Sequence, residues 1–318
     1  LREALFIKKN KDRWTQIEEQ PASDPDEMAT EFIQLVDDLS YAKTFYPTSK
    51  TTRYLNVAAA KIYLGIYRNR KDDGNRLARF VRYDLPNTIR KHHWIMLISF
   101  VIFTTFFIVG VFSARGDESF IRHLFGNSYI NMTEDNIARG KPFGVYDDGN
   151  PLQMWLGIMI NNIKVSFIML AGGVLIGLIP LYQLVMEGIR LGAFETFFAQ
   201  KGLAGDFWLT VFIHGTLEIS ALIISGAAGL IIGRSFLFPG TLSRLEAFKQ
   251  GAKDACKIII GLVPVFITAA FFEGFVTRHE GMPVWGKLTI LICSLTFILG
   301  YFVYYPIRLG RKGGRVDA

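Results

Sequence analysis

His214 and Glu218 lie one helical turn apart inside a 27-residue apolar run, Phe207 to Gly233, that has no other ionisable side chain. Residues i and i+4 share a helix face and can touch. A run of this length belongs in a bilayer. There a charged side chain costs about 2.5–3.5 kcal/mol on insertion scales and usually faces protein or trapped water. Two kinds of chemistry fit the pair. A histidine that titrates near neutrality beside a carboxylate can relay a proton or hold a polar substrate. Alternatively, Glu218 is a polar lock that accepts hydrogen bonds from donors on neighbouring helices, which lipid cannot satisfy; this is the expectation. A metal site is disfavoured, because no second histidine or cysteine pair stands at ligand spacing. Ala221, Ser225 and Gly229 continue the stripe, and Ser225 completes the candidate intramembrane polar site. Small and polar residues on an oily helix form a surface for packing against other helices.

Other polar residues read as supporting. Glu273, in AFFEGF, stands near a span end close to Arg278 and His279 and reads as an interfacial carboxylate with an exposed head. Asn161, Asn162 and Lys164 precede an apolar run, where amides cap and lysine snorkels to the interface. Glu187, Arg190 and Glu195 punctuate an apolar connector and are expected to pair with the basic segment 234–257. No nucleophile elbow, phosphate-cradling glycine loop or zinc-protease motif occurs, so no enzyme, resident metal or cofactor is expected.

These residues need helices to position them. Half of the 318 residues are hydrophobic, and the apolar ones are blocked rather than spread: residues 1–93 are mixed, and long oily runs follow Trp94. This predicts an all-α polytopic membrane protein with a helical N-terminal region. In residues 1–75, Asp24-Pro25-Asp26-Glu27 reads as a helix start. Phe32, Leu35, Val36 and Leu39, then Leu55, Ala59, Ile62 and Ile66, recur at helical spacing and predict a shared core. Residues 72–75 read as a turn. Residues 76–93 form a basic amphipathic elbow carrying Arg76, Arg79, Arg82, Arg90 and Lys91. Such a helix lies in the headgroup plane, or packs Leu77, Phe80 and Val81 on the preceding helices. Membrane segments are expected at 94–113, 165–184, 207–233, 257–277 and 284–305, with an extracytoplasmic loop over 114–163, a connector at 187–206 and a basic tail at 306–318.

The charge of +7 bears on topology and anionic lipid before nucleic acid, and no nucleic-acid partner is expected. Lysine and arginine number 17 in residues 1–93, four in 114–163, five in 234–257 and four after Tyr305. Basic segments prefer the cytoplasm. Five simple spans would put two of these segments outside. A kinked or re-entrant 207–233, bent at Ser225-Gly226-Ala227-Ala228-Gly229, would keep them all inside with both termini cytoplasmic; a straight fifth span is the alternative. The two cysteines sit in or beside oily runs and form no disulfide framework. The first residues lack the basic-then-apolar order of a secretory signal, so Trp94–Ser113 is expected to remain as an anchor.

At Asn161-Asn162, LAGGVLIGLIP, RFVRYDLPNTIRKHH and above all HGTLEISALIISGAAGLIIG, the chain resembles the stage II sporulation protein M family of bacterial and archaeal membrane proteins. The resemblance covers roughly residues 78–305. It implies a multi-span protein of the cytoplasmic membrane with no established catalytic activity. The sporulation member works with peptidoglycan-degrading partners during engulfment, which implies anchoring. The long N-terminal region departs from that shorter type and points to cytoplasmic partners. The expected function is a non-enzymatic membrane scaffold that assembles envelope or membrane-remodelling proteins in the lipid bilayer. The alternative is a channel or transporter lined by His214 and Glu218. Gly173, Gly177, Gly229 and Gly233 offer close-packing faces, some for contacts within one chain and others for a possible homodimer.

Overall fold

The computed structural model describes residues 3–19, 22, 25–68, 76–144, 150–277 and 282–313. Among them are helices and turns but no strand. The chain divides into two compact units, residues 1–76 and 77–318.

The first unit contains α1 (Glu3–Glu19), α2 (Pro25–Phe45) and α3 (Lys50–Arg68). Their apolar faces meet in one core. Phe6, Trp14 and Ile17 of α1 join Leu35, Leu39 and Ala42 of α2 and Leu55, Ala59 and Ile62 of α3, with Phe32 and Val36 against them. Fully burying one such leucine stabilises by about 1.5–3 kcal/mol. Trp14 Nε1 donates to Asp38 Oδ2 at 2.7 Å, and Arg13 pairs with the same carboxylate, which clamps α1 to α2. The helix start expected at Asp24, the turn at 72–75 and the side chain of Ile66 lie outside the described residues.

The second unit begins with the elbow: α4 (Arg76–Arg79), a π turn (Phe80–Asp84) and α5 (Leu85–Lys91). Long helices follow: α6 (His93–Gly116), α9 (Pro151–Gly172), α10 (Leu178–Gln200), α11 (Ala204–Leu237) and α12 (Arg244–Phe271). Between α6 and α9 lies a cap of α7 (Glu118–Phe125) and α8 (Asn127–Ala138). After α12 come a π turn (Phe272–Val276), α13 (Val284–Phe297), another π turn (Ile298–Tyr304) and α14 (Tyr305–Gly313). Five helical stretches among the described residues, His93–Gly116, Pro151–Gly172, Ala204–Leu237, Arg244–Val276 and Val284–Gly310, are long and apolar enough to cross a membrane. The chain is an all-α polytopic membrane protein.

The expected span 165–184 is not one helix. It breaks at residues 173–177 into a hairpin of α9 and α10, with Gly177 at φ 79° and Ile176 at φ 58°. Positive φ is free for glycine and uncommon for a β-branched residue, so Gly177 carries the turn at low cost. The expected loop over 114–163 also ends early. Asn150 Oδ1 accepts the Leu152 N–H at 2.9 Å, Pro151 takes the first helical position, and α9 starts there. Most of the expected connector 187–206 belongs to α10.

Glycines show how the helices run. Gly188 of α10 abuts Phe103 of α6, and Gly192 abuts Phe107 and Val111, so α6 and α10 are parallel. Leu184, Pro180 and Gly177 meet Gly226, Gly229 and Gly233 in turn, so α10 and α11 are antiparallel. Gly251 of α12 meets Ser235 of α11, and Thr277 beyond α12 bonds His214, again antiparallel. Gly310 of α14 lies against the Arg90 guanidinium. Thus α6, α9, α10, α11, α12 and α13–α14 traverse the bundle, and the last returns to the end where α6 begins. Tyr301 and Tyr305 donate to the carbonyls of Val81 and Arg82 at 2.6 and 2.9 Å, which ties the elbow to this return.

The bend expected at Ser225–Gly229 is absent: α11 is one helix of 34 residues. It is the most buried long helix, with 72% of its apolar window enclosed. Its small residues serve close approach instead of bending. A Cβ on Gly226 would lie 2.7 Å from Leu184, and one on Gly233 would lie 2.7 Å from the Gly177 nitrogen. Gly173, Gly177, Gly229 and Gly233 all pack within the chain, so the basis for expecting a homodimer through them is removed.

Candidate intramembrane polar site

Three ligand-type side chains converge on α11. His214 and Glu218 come from one face of that helix, and Glu273 comes from the π turn after α12; one donor atom of each lies within 4.8 Å of the other two. The π turn widens the helix locally, a distortion that is frequent at functional sites. Gly274 lets α9 come close beside Glu273, since a Cβ there would lie 3.2 Å from Trp155. Trp155 Nε1 then donates to the Ile267 carbonyl at 3.3 Å. This corrects the reading of Glu273 as an interfacial carboxylate with an exposed head. The expected neighbours Arg278 and His279 lie outside the described residues.

The tautomer of His214 follows from its partner. Thr277 Oγ1 donates its single proton to the Phe272 carbonyl at 3.1 Å. It therefore accepts from His214 Nδ1–H, also at 3.1 Å. A proton on Nδ1 leaves the lone pair on Nε2.

Asn162 also reaches this site. It lies within α9 rather than before a span, because α9 starts at Pro151. Asn162 and Glu218 line a cavity of about 10 Å³, room for about one water. The Asn162 Nδ2 is buried, and the Asn162 side chain lies beside the Glu218 carboxylate. Asn161 and Lys164, by contrast, are exposed on the apolar surface of α9. Ser225 borders the cavity but donates to the Ala221 carbonyl at 2.8 Å, inside its own helix. Beyond Ser225, Gly229 and Gly233 are closed over by α9, α10 and the hairpin turn. In the other direction, Thr277 lines a wider pocket of about 370 Å³ with Thr210, Asp206, Lys201 and Lys287.

Glu187 does not pair with segment 234–257; it accepts from Arg190 Nη1 at 2.7 Å within α10. Neighbouring residues of opposite sign on one helix neutralise each other at low entropic cost. Arg76, Arg79, Arg82, Arg90 and Lys91 are exposed, Phe80 packs against the core of the second unit, and Leu77 and Val81 stay exposed.

The sequence reading missed a second polar cluster. Asp254 of α12 accepts from Lys91 Nζ at 2.7 Å and bonds His92 Nε2 at 3.0 Å. Burial pushes the His92 imidazole below its usual pKa, against the opposing pull of Asp254. The only signal was an aspartate inside the basic segment. The cap has its own pairs: Glu134 accepts from Lys201 Nζ at 2.9 Å and from Arg122 Nη2 at 2.8 Å. The Lys201 bond, with help from Arg122, holds the Glu134 carboxyl below its usual range.

A multi-helix membrane bundle around a buried histidine and two carboxylates defines the class. The chain belongs to the stage II sporulation protein M family, whose model matches residues 99–278. Residues 4–68 match a domain of unknown function, DUF8413. An uncharacterized protein of Methanocaldococcus jannaschii, MJ0793, is 30% identical over 131 residues, covering 38% of this chain and 68% of the relative. No solved structure matches the chain.

Proposed function

We propose that the chain is a non-enzymatic membrane scaffold, with a cytoplasmic three-helix unit that recruits membrane or envelope partners. The observation that carries this reading is the sealed half of α11. From Ser225 to Gly233 its small residues meet neighbouring backbone and side chains directly, and the cavity above holds about one water. A closely packed bundle suits holding partners better than passing solutes. The basic elbow and the basic segment 234–257 gather at the end where α6 begins, which supports a cytoplasmic position for that face and for both termini. The cap then faces outward.

The test compares affinity purification from native membranes, with and without residues 1–75, alongside flux in proteoliposomes. Specific membrane or envelope proteins recovered only with residues 1–75, without flux, support the scaffold. Ion or proton flux abolished by Glu218→Gln overturns it. One observation favours this second reading, a channel or transporter: Thr277 both bonds His214 and lines the outward pocket.

A further inference from the structure

We propose that the pocket beside the cap binds the headgroup of a zwitterionic phospholipid, with its phosphate on Lys287 and Thr210 and its primary ammonium on Asp206. The cavity measures about 370 Å³, a size typical of ligand pockets. Its depth is set by the helices that meet there. Lys201 follows α10, Asp206 and Thr210 stand in the first turns of α11, Thr277 follows the π turn after α12, and Lys287 stands in the first turn of α13. Trp208 and Trp285 are exposed beside these residues, and tryptophans at the ends of spans mark the headgroup layer. From that level Val284, Leu288 and Ile292 run exposed along one face of α13, an apolar track for an acyl chain.

Charge identifies the headgroup. Lys201 is satisfied by Glu134 at 2.9 Å. Lys287 has one described hydrogen bond, a long one of 3.4 Å to the Thr210 hydroxyl oxygen. That hydroxyl accepts from Lys287 and keeps its own proton for a further acceptor. Among the described residues, neither Lys287 nor Asp206 takes part in an ion pair. Asp206 stands one helical turn before Thr210 and shares its face of α11. The pocket therefore presents an ammonium and a hydroxyl donor near a carboxylate that does not neutralise them. A simple anion is opposed by Asp206, and a simple cation by Lys287. A ligand carrying both signs meets both, and such complementarity sets specificity. A primary ammonium donates hydrogen bonds to a carboxylate, which a quaternary ammonium cannot do, so ethanolamine fits here and choline does not. Ile137, Phe143 and Leu203 supply an apolar wall for the glycerol. On the topology proposed above this is the outer leaflet; the binding itself does not depend on that.

The test is native mass spectrometry of the full chain released from nanodiscs that hold equal amounts of phosphatidylethanolamine, phosphatidylglycerol and phosphatidylcholine. The expected result is one phosphatidylethanolamine retained per chain in preference to the other two. Asp206→Asn should weaken its retention at least about tenfold and bring it to the level of phosphatidylglycerol. Lys287→Gln should weaken retention of both lipids, because both carry the phosphate. Lys249→Gln, whose ion pair with Glu246 lies outside the pocket, should change nothing. The ratio of lipids on the folded fraction is read in each case, so a partial loss of folding does not mimic the result. Soluble glycerophosphoethanolamine should displace the lipid only at large excess; displacement at equal concentration means a free zwitterion is the ligand and overturns the lipid assignment. Equal retention of the three lipids by the wild type overturns the proposal. So does a preference for phosphatidylglycerol, which means a site for anions alone, or a phosphatidylethanolamine preference that survives in the Asp206→Asn/Lys287→Gln double variant.

Discussion

Gly188 of α10 packs onto the backbone of Phe103 in α6: a Cβ on Gly188 would lie 2.7 Å from the Phe103 carbonyl oxygen. That approach makes α10 a member of the bundle although Glu187, Arg190 and Glu195 lower its hydropathy. At 23 residues it is about 34 Å long, enough to cross the ~30 Å hydrocarbon core.

Gly188→Leu should therefore separate α6 from α10. Overpacking of this kind costs about 1–3 kcal/mol or more. The expected outcome is a lower melting temperature in detergent. Gly205→Ala, which meets nothing within 4 Å, should leave it unchanged. Equal melting of the two variants would show that the α6–α10 contact does not hold the bundle.

Topology can be read by labelling single cysteines after Cys256 and Cys293 are replaced. A cysteine at Gly205 should react with an impermeant reagent from outside intact cells. Cysteines at Leu175, in the hairpin turn, and at Leu242 should react only after lysis. External labelling at Leu175 would return α9 and α10 to the extracytoplasmic side.

Asp254 is the sole acceptor described for the Lys91 ammonium and the His92 Nε2, and the His92 Nδ1 already lacks a hydrogen bond. Asp254→Ala strands the buried His92 Nε2–H, at a cost of about 1–3 kcal/mol. The elbow should loosen from α12, seen as faster proteolysis within 76–91. Unchanged cleavage and melting would remove Asp254 from the account of the elbow.

The cap should weaken in acid. The Glu134 carboxyl is held below its ordinary value of 4.5 by Lys201 first and Arg122 next. Its folded pKa is depressed, so its stabilisation is present above the unfolded value and lost as pH falls below that value and through the folded one. Hydrogen exchange in α7 and α8 should accelerate below pH 4.5 in the wild type. In Glu134→Gln it should be faster already at neutral pH and depend less on acidity.

The first unit should fold alone. Residues 1–76 expressed as a fragment should be helical by circular dichroism. Leu55 is fully buried, so Leu55→Ala should cost about 2–5 kcal/mol. Val57, which is exposed, should tolerate alanine.

The sequence alone determined what depends on local pattern. Blocked hydropathy establishes a polytopic helical protein, because only long apolar helices bury their backbone polar groups in lipid. Helical spacing marked Leu35, Leu39, Leu55 and Ile62 as one core. The i, i+4 spacing placed His214 beside Glu218, and the surrounding residues identified the family. Basic residues argued for an even number of crossings, but the sequence reading sought the change of direction in α11.

Tertiary structure put it at Gly177. A turn built from Gly, Val, Leu and Ile inside an oily run carries no polar signature, and only the partners of α11 explain why its own glycines stay helical. The pairing of Glu187 with Arg190, and the cover that α6 gives α10, hid a membrane-length helix from hydropathy. Glu273, Asn162 and Thr277 reach His214 and Glu218 from other segments of the chain. Residue spacing along one helix cannot report such convergence, because it is produced by the packing of α9 and the π turn against α11.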